Sequence, residues 1–358
     1  MKRQAVVLTV LWMAFLVGVP EGIAKKDFED EVQNFTVAER AFQDKFYDFS
    51  RQELEGFIEH YPHSEQFGQA LLLLGRSYLE LEETQQALRQ FSEILKEERF
   101  KELRDQALYW SGEVYLRKKE FKTATAFYQD LIDRYPPSPL FPYAIYSMAW
   151  CQEAQMKFQE AEAGYAQFIA HFPDHSLAEE AHVRWIVSLL RQKKFEEALK
   201  ACHAFLEGHS SSAWRGEIFY LRGEIFFEEE DFHSAIKAYE ESLREQGDRP
   251  WGPPARLNLA WSYFKTKEID KALALFKDLT DEKTVREGAF FGAALCYRLQ
   301  EKNEEATEAL EKLLALPAQK EWHNKALLEK AEMDYKFSRY PEAIRNYQEL
   351  LHGSPSAA

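Results

Sequence analysis

Few residues in this chain stand at spacings that chemistry uses. His171 and His175 flank a turn with Asp174 between them, a set that could form a surface metal site. Glu179 and His182 lie three residues apart on one helical face, as in half of a di-iron carboxylate centre, but the carboxylates that would complete such a centre have no counterpart here. A solvated helix face accounts for the pair. Cys151, Cys202 and Cys296 fall in apolar periodic segments with no CxxC spacing, which makes them small buried hydrophobes rather than catalytic thiols. No glycine-rich phosphate loop, HExxH or GxSxG motif is present. The sequence therefore predicts no catalytic residue, no metal site, no cofactor and no enzyme.

The composition narrows the remaining classes. A chain of 358 residues with 46% apolar and 29% charged residues buries a sizeable core, as two domains or one elongated array. Its 45 Lys and Arg against 60 Asp and Glu give a formal charge of −15, which repels nucleic acid. Three cysteines make no disulfide framework, so stability comes from packing.

The first residues look like an address. Lys2 and Arg3 precede an apolar run from Ala5 to Val19, Pro20 and Glu21 end it, and Gly22 and Ala24 fit a cleavage site. The run is shorter than the roughly 20 residues that span a bilayer as a helix. Residues 1–24 are expected to be a secretory signal, leaving a product that begins at Lys25 and contains no integral membrane span. No cysteine follows the run to carry a lipid, so the expected location is the periplasm, without a lipoprotein anchor.

The elements that must position any site come from a repeat. Ala87, Ala124, Ala161, Ala198, Ala235, Ala272, Ala306 and Ala343 are spaced by 37 residues, except for one step of 34. Twelve residues before each alanine stands a small residue (Gly75, Gly112, Ala149, Gly223, Ala260, Ala294 or Ala331), with Ile186 the exception. Four residues after it comes Phe91, Tyr128, Tyr165, Cys202, Tyr239, Phe276, Leu310 or Tyr347. Each unit has two segments of helical period, which predicts a hairpin that buries its apolar face only by stacking on its neighbours. Stepping back one period from Ala87 lands on Ser50, a degenerate first unit, so nine helix pairs are expected. Proline-rich segments at 136–142 and 250–254 are expected to be stiff bends.

The run Leu74-Gly75-x-x-Tyr78 followed by Ala87-x-x-x-Phe91, and Gly112-x-x-Tyr115 followed by Ala124-x-x-x-Tyr128 and Pro136, resembles the tetratricopeptide repeat, although the family period is 34. Tyr61-Pro62-His63-Ser64 and Phe172-Pro173-Asp174-His175-Ser176 resemble the subgroup in bacterial envelope proteins of the outer-membrane barrel-assembly and Tol-Pal-associated kinds. The resemblance implies an all-α, right-handed superhelix, an α-solenoid of eight or nine helix pairs. Its expected domains are a signal at 1–24, a degenerate repeat or cap at 25–66, and eight repeats at 67–358.

In that family the first helix of each pair lines a concave groove. The same spacing nominates Tyr109, Tyr143, Tyr146, Trp150, Tyr220, Phe227, Trp261, Phe264, Phe291 and Tyr335 as groove residues, with Arg76, Glu113, Glu224, Arg298 and Glu332 interleaved. These rings either form a recognition face or fill the space between adjacent helices. The expected function is an exported protein-binding scaffold in envelope assembly, whose groove holds a segment of another envelope protein. The alternative is a protein that binds glycan or peptidoglycan fragments, or an accessory to a cell-wall enzyme. The last helix, with Ile344, Tyr347, Leu350 and Leu351, either turns these residues onto its own partner or docks another molecule, including a second copy.

Overall fold

The structure, a computed structural model, describes residues 21–246, 249–317 and 320–353. The signal expected at residues 1–24 lies outside these, apart from residues 21–24. Among the described residues there are eighteen α-helices, one 3-10 segment and no strand, and no helix is long and apolar enough to cross a membrane. The described residues divide into two compact units, one ending at His175 and the other beginning at Ser176.

The first unit contains four hairpins. They are α1 (Glu21–Gln43) with α2 (Tyr47–His60), α3 (Phe67–Glu80) with α4 (Thr84–Lys96), α5 (Arg104–Arg117) with α6 (Phe121–Arg134), and α7 (Phe141–Ala154) with α8 (Phe158–His171). A 3-10 segment, Glu98–Leu103, joins α4 to α5. The second unit contains five: α9 (Ala178–Arg191) with α10 (Phe195–Gly208), α11 (Arg215–Glu228) with α12 (Phe232–Gln246), α13 (Gly252–Lys265) with α14 (Ile269–Asp278), α15 (Arg286–Leu299) with α16 (Asn303–Leu314), and α17 (Lys320–Lys336) with α18 (Tyr340–Gly353). The boundary falls between His175 and Ser176, at neither proline-rich segment. Pro142 instead lies in the first turn of α7, and Pro253 and Pro254 in that of α13, where a missing N–H leaves no helical bond unmade.

Every hairpin turns through one left-handed residue: Lys45, Glu82, Lys119, Met156, Lys193, Glu230, Lys267, Glu301 and Ser338. These are 37 residues apart except for the 34-residue step from Lys267 to Glu301, which matches the short step of the alanine column. The bonding is that of a Schellman cap. In the second hairpin Glu83 N donates to Tyr78 O at 2.8 Å and Glu82 N to Leu79 O at 3.2 Å, so the last carbonyls of α3 are satisfied before α4 begins. The turn between hairpins also recurs. Ser64, Ser138 and Ser212 each donate to a carboxylate 33 residues earlier (Glu31, Asp105 and Glu179) at 2.6, 2.6 and 2.8 Å, and each accepts the N–H two residues on.

All eight alanines of the column are buried. The small residue twelve positions before the alanine makes room for the ring four positions after it. A Cβ on Gly75 would stand 2.4 Å from the Phe91 ring, one on Gly112 2.5 Å from Tyr128, and one on Gly223 2.5 Å from Tyr239. In α9 and α10 the sizes are exchanged: Ile186 takes the small position and Cys202 the ring position, both fully buried in one cluster. The volume of the pair is roughly kept, and the core tolerates the swap.

Candidate functional site

All ten nominated aromatics lie on the first helices of hairpins: Tyr109 on α5; Tyr143, Tyr146 and Trp150 on α7; Tyr220 and Phe227 on α11; Trp261 and Phe264 on α13; Phe291 on α15; Tyr335 on α17. In the first unit Tyr109 meets Tyr143 edge to face with centroids 6.4 Å apart, and Tyr143 meets His175 at 4.9 Å. Tyr146 packs edge-on against Tyr165 and Phe168, and Trp150 against Phe121. In the second unit Trp261 gathers Phe264, Phe276 and Phe291 within 4.9 to 6.5 Å. Tyr220 lies against Tyr239, Phe227 against Phe232, and Tyr335 against Tyr340.

Tyr143, 38% exposed, and Tyr335, 63% exposed, are the open ones; the other eight are half-buried, one side of each ring packed on its own unit. In the second unit Trp261, Phe264 and Phe291 form one group, and Tyr220, Phe227, Trp261 and Phe264 pack against one buried cluster that includes Tyr239 and Phe276.

Two interleaved charges are committed to the fold. Glu113 Oε1 accepts from the Tyr128 hydroxyl at 2.6 Å and from Ser147 at 3.3 Å, and Tyr109 also hydrogen-bonds to Glu113. Glu224 accepts from Tyr239 at 2.7 Å and from Asn258 at 2.5 Å, with Tyr220 bonded to it as well. Burial, with the adjacent carboxylate second, pushes all four tyrosine hydroxyls well above their ordinary range, so they remain donors. Arg298 and Glu329 pair between α15 and α17.

Arg76 is different. Its guanidinium lies over the Phe42 ring on α1, at 4.6 Å, and over the Trp110 ring on α5, at 4.5 Å. Burial makes its charged form harder to keep, and its Nε is shielded from solvent with no hydrogen-bond partner. Sequence reasoning named Arg76 but missed Phe42 and Trp110. The signal was available, because the three stand 34 residues apart, one helical turn less than the 37-residue repeat. Tyr109 and Tyr143, Glu113 and Ser147, and Glu224 and Asn258 share that offset, which is how adjacent first helices meet.

The residues with reactive chemistry are dispersed. Exposed His171 bonds its own helix at Gln167 O, while His175 packs on Tyr143 and Phe168. Glu179 accepts from Ser212, and His182 turns inward between Trp185, Phe205 and His209, where burial and then His209 lower its pKa to about 4. Cys151, Cys202 and Cys296 are free and buried, and desolvation pushes each thiol up to about 12, which removes its nucleophilic form at neutral pH. Among the described residues no three His, Cys, Asp or Glu side chains are grouped as metal ligands.

Comparison with known proteins agrees with this geometry. A tetratricopeptide repeat-like domain model matches residues 129–257, and two tetratricopeptide repeat models match residues 72–139 and 226–289. No curated protein matches the chain. Among solved structures, a tetratricopeptide repeat protein from Parabacteroides merdae is 16% identical with a TM-score of 0.54, covering 71% of this chain and 94% of its own. The apo quorum sensor NprR from B. thuringiensis is 17% identical with a TM-score of 0.58, covering 91% and 99%. PilW, a widely conserved type IV pilus biogenesis factor, is 18% identical with a TM-score of 0.51, covering 62% and 98%. At these identities the likeness is one of fold. With its hairpins, its alanine column and its left-handed turns in one register, the chain carries tetratricopeptide repeats, matched from residue 72 to residue 289.

Proposed function

We propose that this protein is an exported, non-catalytic scaffold of the bacterial envelope that holds a segment of another envelope protein against the first-helix faces of its repeats. The observation that carries the reading is the group of Trp261, Phe264 and Phe291: three large rings on two consecutive first helices, packed on one side and half-open on the other. Rings fixed in this way bind at low entropic cost, and aromatic anchors dominate protein interfaces. The signal-like start at Lys2 to Ala24 supports export to the periplasm, and the likeness to PilW supports an assembly role in outer-membrane, cell-wall or appendage biogenesis.

The test is recovery of partners from the envelope fraction of the source cell with the full chain and with Trp150→Ala and Trp261→Ala variants. A protein partner retained by the parent and lost from a still-helical variant supports the reading. Retention of glycan alone, lost with the same tryptophans, points to the alternative of a glycan-binding protein.

A second contact is proposed on α18, where Ile344 is 55% and Leu351 72% exposed while Tyr347 and Leu350 are half-buried. The helix thus turns only part of its apolar set inward, and a second copy would cover the rest. An Ile344→Glu, Leu351→Glu variant with the parent's sedimentation behaviour removes that proposal.

A further inference from the structure

The serine-to-carboxylate bond that recurs between hairpins is absent before α13. Gly216 and Arg249 stand where Glu179 and Ser212 stand one repeat earlier, so this junction has neither the acceptor nor the hydroxyl. An indole takes part of the space, because a Cβ on Gly216 would stand 2.4 Å from the Trp251 ring. The residue preceding the first helix is Leu103, Leu140 and Leu177 in three hairpins, but Trp214 and Trp251 in two successive ones.

The junction encloses a cavity of about 380 Å³ lined by Ala213, Trp214, Glu217, Arg249, Pro250 and Trp251. None of the ten nominated rings lines it. Trp251 is buried in the cluster of α12 to α14, and half-buried Trp214 packs on that of α9 and α10, so both indoles are fixed walls. Glu217, half-buried in the first turn of α11, has no hydrogen bond and no ion pair among the described residues. Burial pushes its carboxyl above the ordinary range, Arg184 opposes the shift and Glu180 adds to it. Arg249 is not among the charges that act on Glu217, and it has an interaction of its own.

A desolvated carboxylate beside indole rings is complementary to an organic cation. The charge pairs with the carboxylate through a charge-assisted hydrogen bond, and the alkyl part lies on the rings, whose faces also attract positive charge. A neutral sugar would use the same walls but leave the carboxylate uncompensated. We propose that this cavity binds an alkylammonium ion, with Glu217 as its counter-ion and Trp214 and Trp251 as its walls. The net charge of −15 raises the local concentration of such ions, and the site is independent of the aromatic face proposed to hold a protein segment.

The experiment uses the full chain and four probes: choline, n-butylammonium, Nα-acetyl-lysine amide and methyl glucoside. Saturation-transfer NMR detects binding, and titration calorimetry measures it. The three ammonium compounds are expected to bind and the glucoside not, with affinity falling as salt is raised. Tighter binding of the lysine amide than of the free amines identifies a protein lysine as the source of the ammonium, and the reverse identifies a free amine.

Glu217→Gln, which removes the charge at constant size, is expected to weaken binding by about tenfold or more. Glu229→Gln, which removes the same charge from an exposed turn, is expected to leave it unchanged. Trp214→Leu, which installs the residue other repeats carry, is expected to weaken it by about threefold or more. Melting confirms the fold of each variant, and where Trp214→Leu does not fold, Glu217→Gln decides. No binding of any ammonium probe, affinity unchanged by Glu217→Gln, or binding of the glucoside in preference to the amines overturns the proposal.

Discussion

The Tyr128 hydroxyl donates to Glu113 at 2.6 Å, and three repeats later the Tyr239 hydroxyl donates to Glu224 at 2.7 Å. Each bond ties the second helix of a hairpin to the first, beneath the face where the aromatics stand. Ser147 and Asn258 bring in the next hairpin at the same carboxylates. Each glutamate therefore ties together three helices of its own unit.

Loss of one of these hydroxyls should be felt as stability. Tyr128→Phe and Tyr239→Phe each remove a hydrogen bond to a charged acceptor while keeping the ring, and each is expected to cost about 1.5 to 3 kcal/mol. Urea denaturation measures it. Midpoints unchanged within error would mean that water replaces the hydroxyl at no cost.

The exchange of Ile186 and Cys202 makes a reciprocal test. Cys202→Tyr restores the usual ring but overfills a site that Ile186 already occupies, and should destabilise by about 1 to 3 kcal/mol. Adding Ile186→Gly should recover most of that loss, because Gly112 with Tyr128 and Gly223 with Tyr239 are the same pair in a working form. A double variant as unstable as the single one would show that the two sites do not share space.

The hairpin plan was legible because it is written locally. The alanine column, the small residue twelve before it and the ring four after it recur within one unit, and the 34-residue step at Ala306 reappears in the turns at Glu301. Less legible was what each groove residue does. Glu113 looks like a surface charge until Tyr128 and Ser147, from two other helices, are seen to converge on it. The grouping of Phe42, Arg76 and Trp110 depends on the offset of one turn between stacked first helices, which a search at the repeat period itself passes over. Which rings stay open is set by their neighbours: Tyr143 is exposed and Trp150 half-buried on the same helix.

The left-handed turn residues allow a gain. Met156 adopts φ of 60° and is 75% exposed, so it bears the steric cost of that conformation with little packing in return. Met156→Gly should stabilise by about 0.5 to 1 kcal/mol, the lower flexibility cost of methionine offsetting part of the relief. A melting temperature that falls on this change would show that the Met156 side chain makes a contact that matters.

Acid should find a weak point at His182. The ring is buried on α9 against Phe205 and His209, its Nδ1 has no partner, and its pKa drops from 6.5 to about 4, with only Glu179 opposing the shift. The unfolded chain therefore takes up a proton near pH 6.5 that the folded chain refuses until about pH 4. Stability contributed by the neutral ring is fully present above pH 6.5, declines as the pH falls through that window, and levels off below it, a loss on the order of 2 kcal/mol. Carboxylates also titrate near the lower end, so the readout is a difference: the stability of the parent minus that of His182→Phe, measured by urea from pH 7.5 to 4. That difference should fall with acid. A flat difference would mean that the imidazole is protonated in place, with water or Glu179 reaching it.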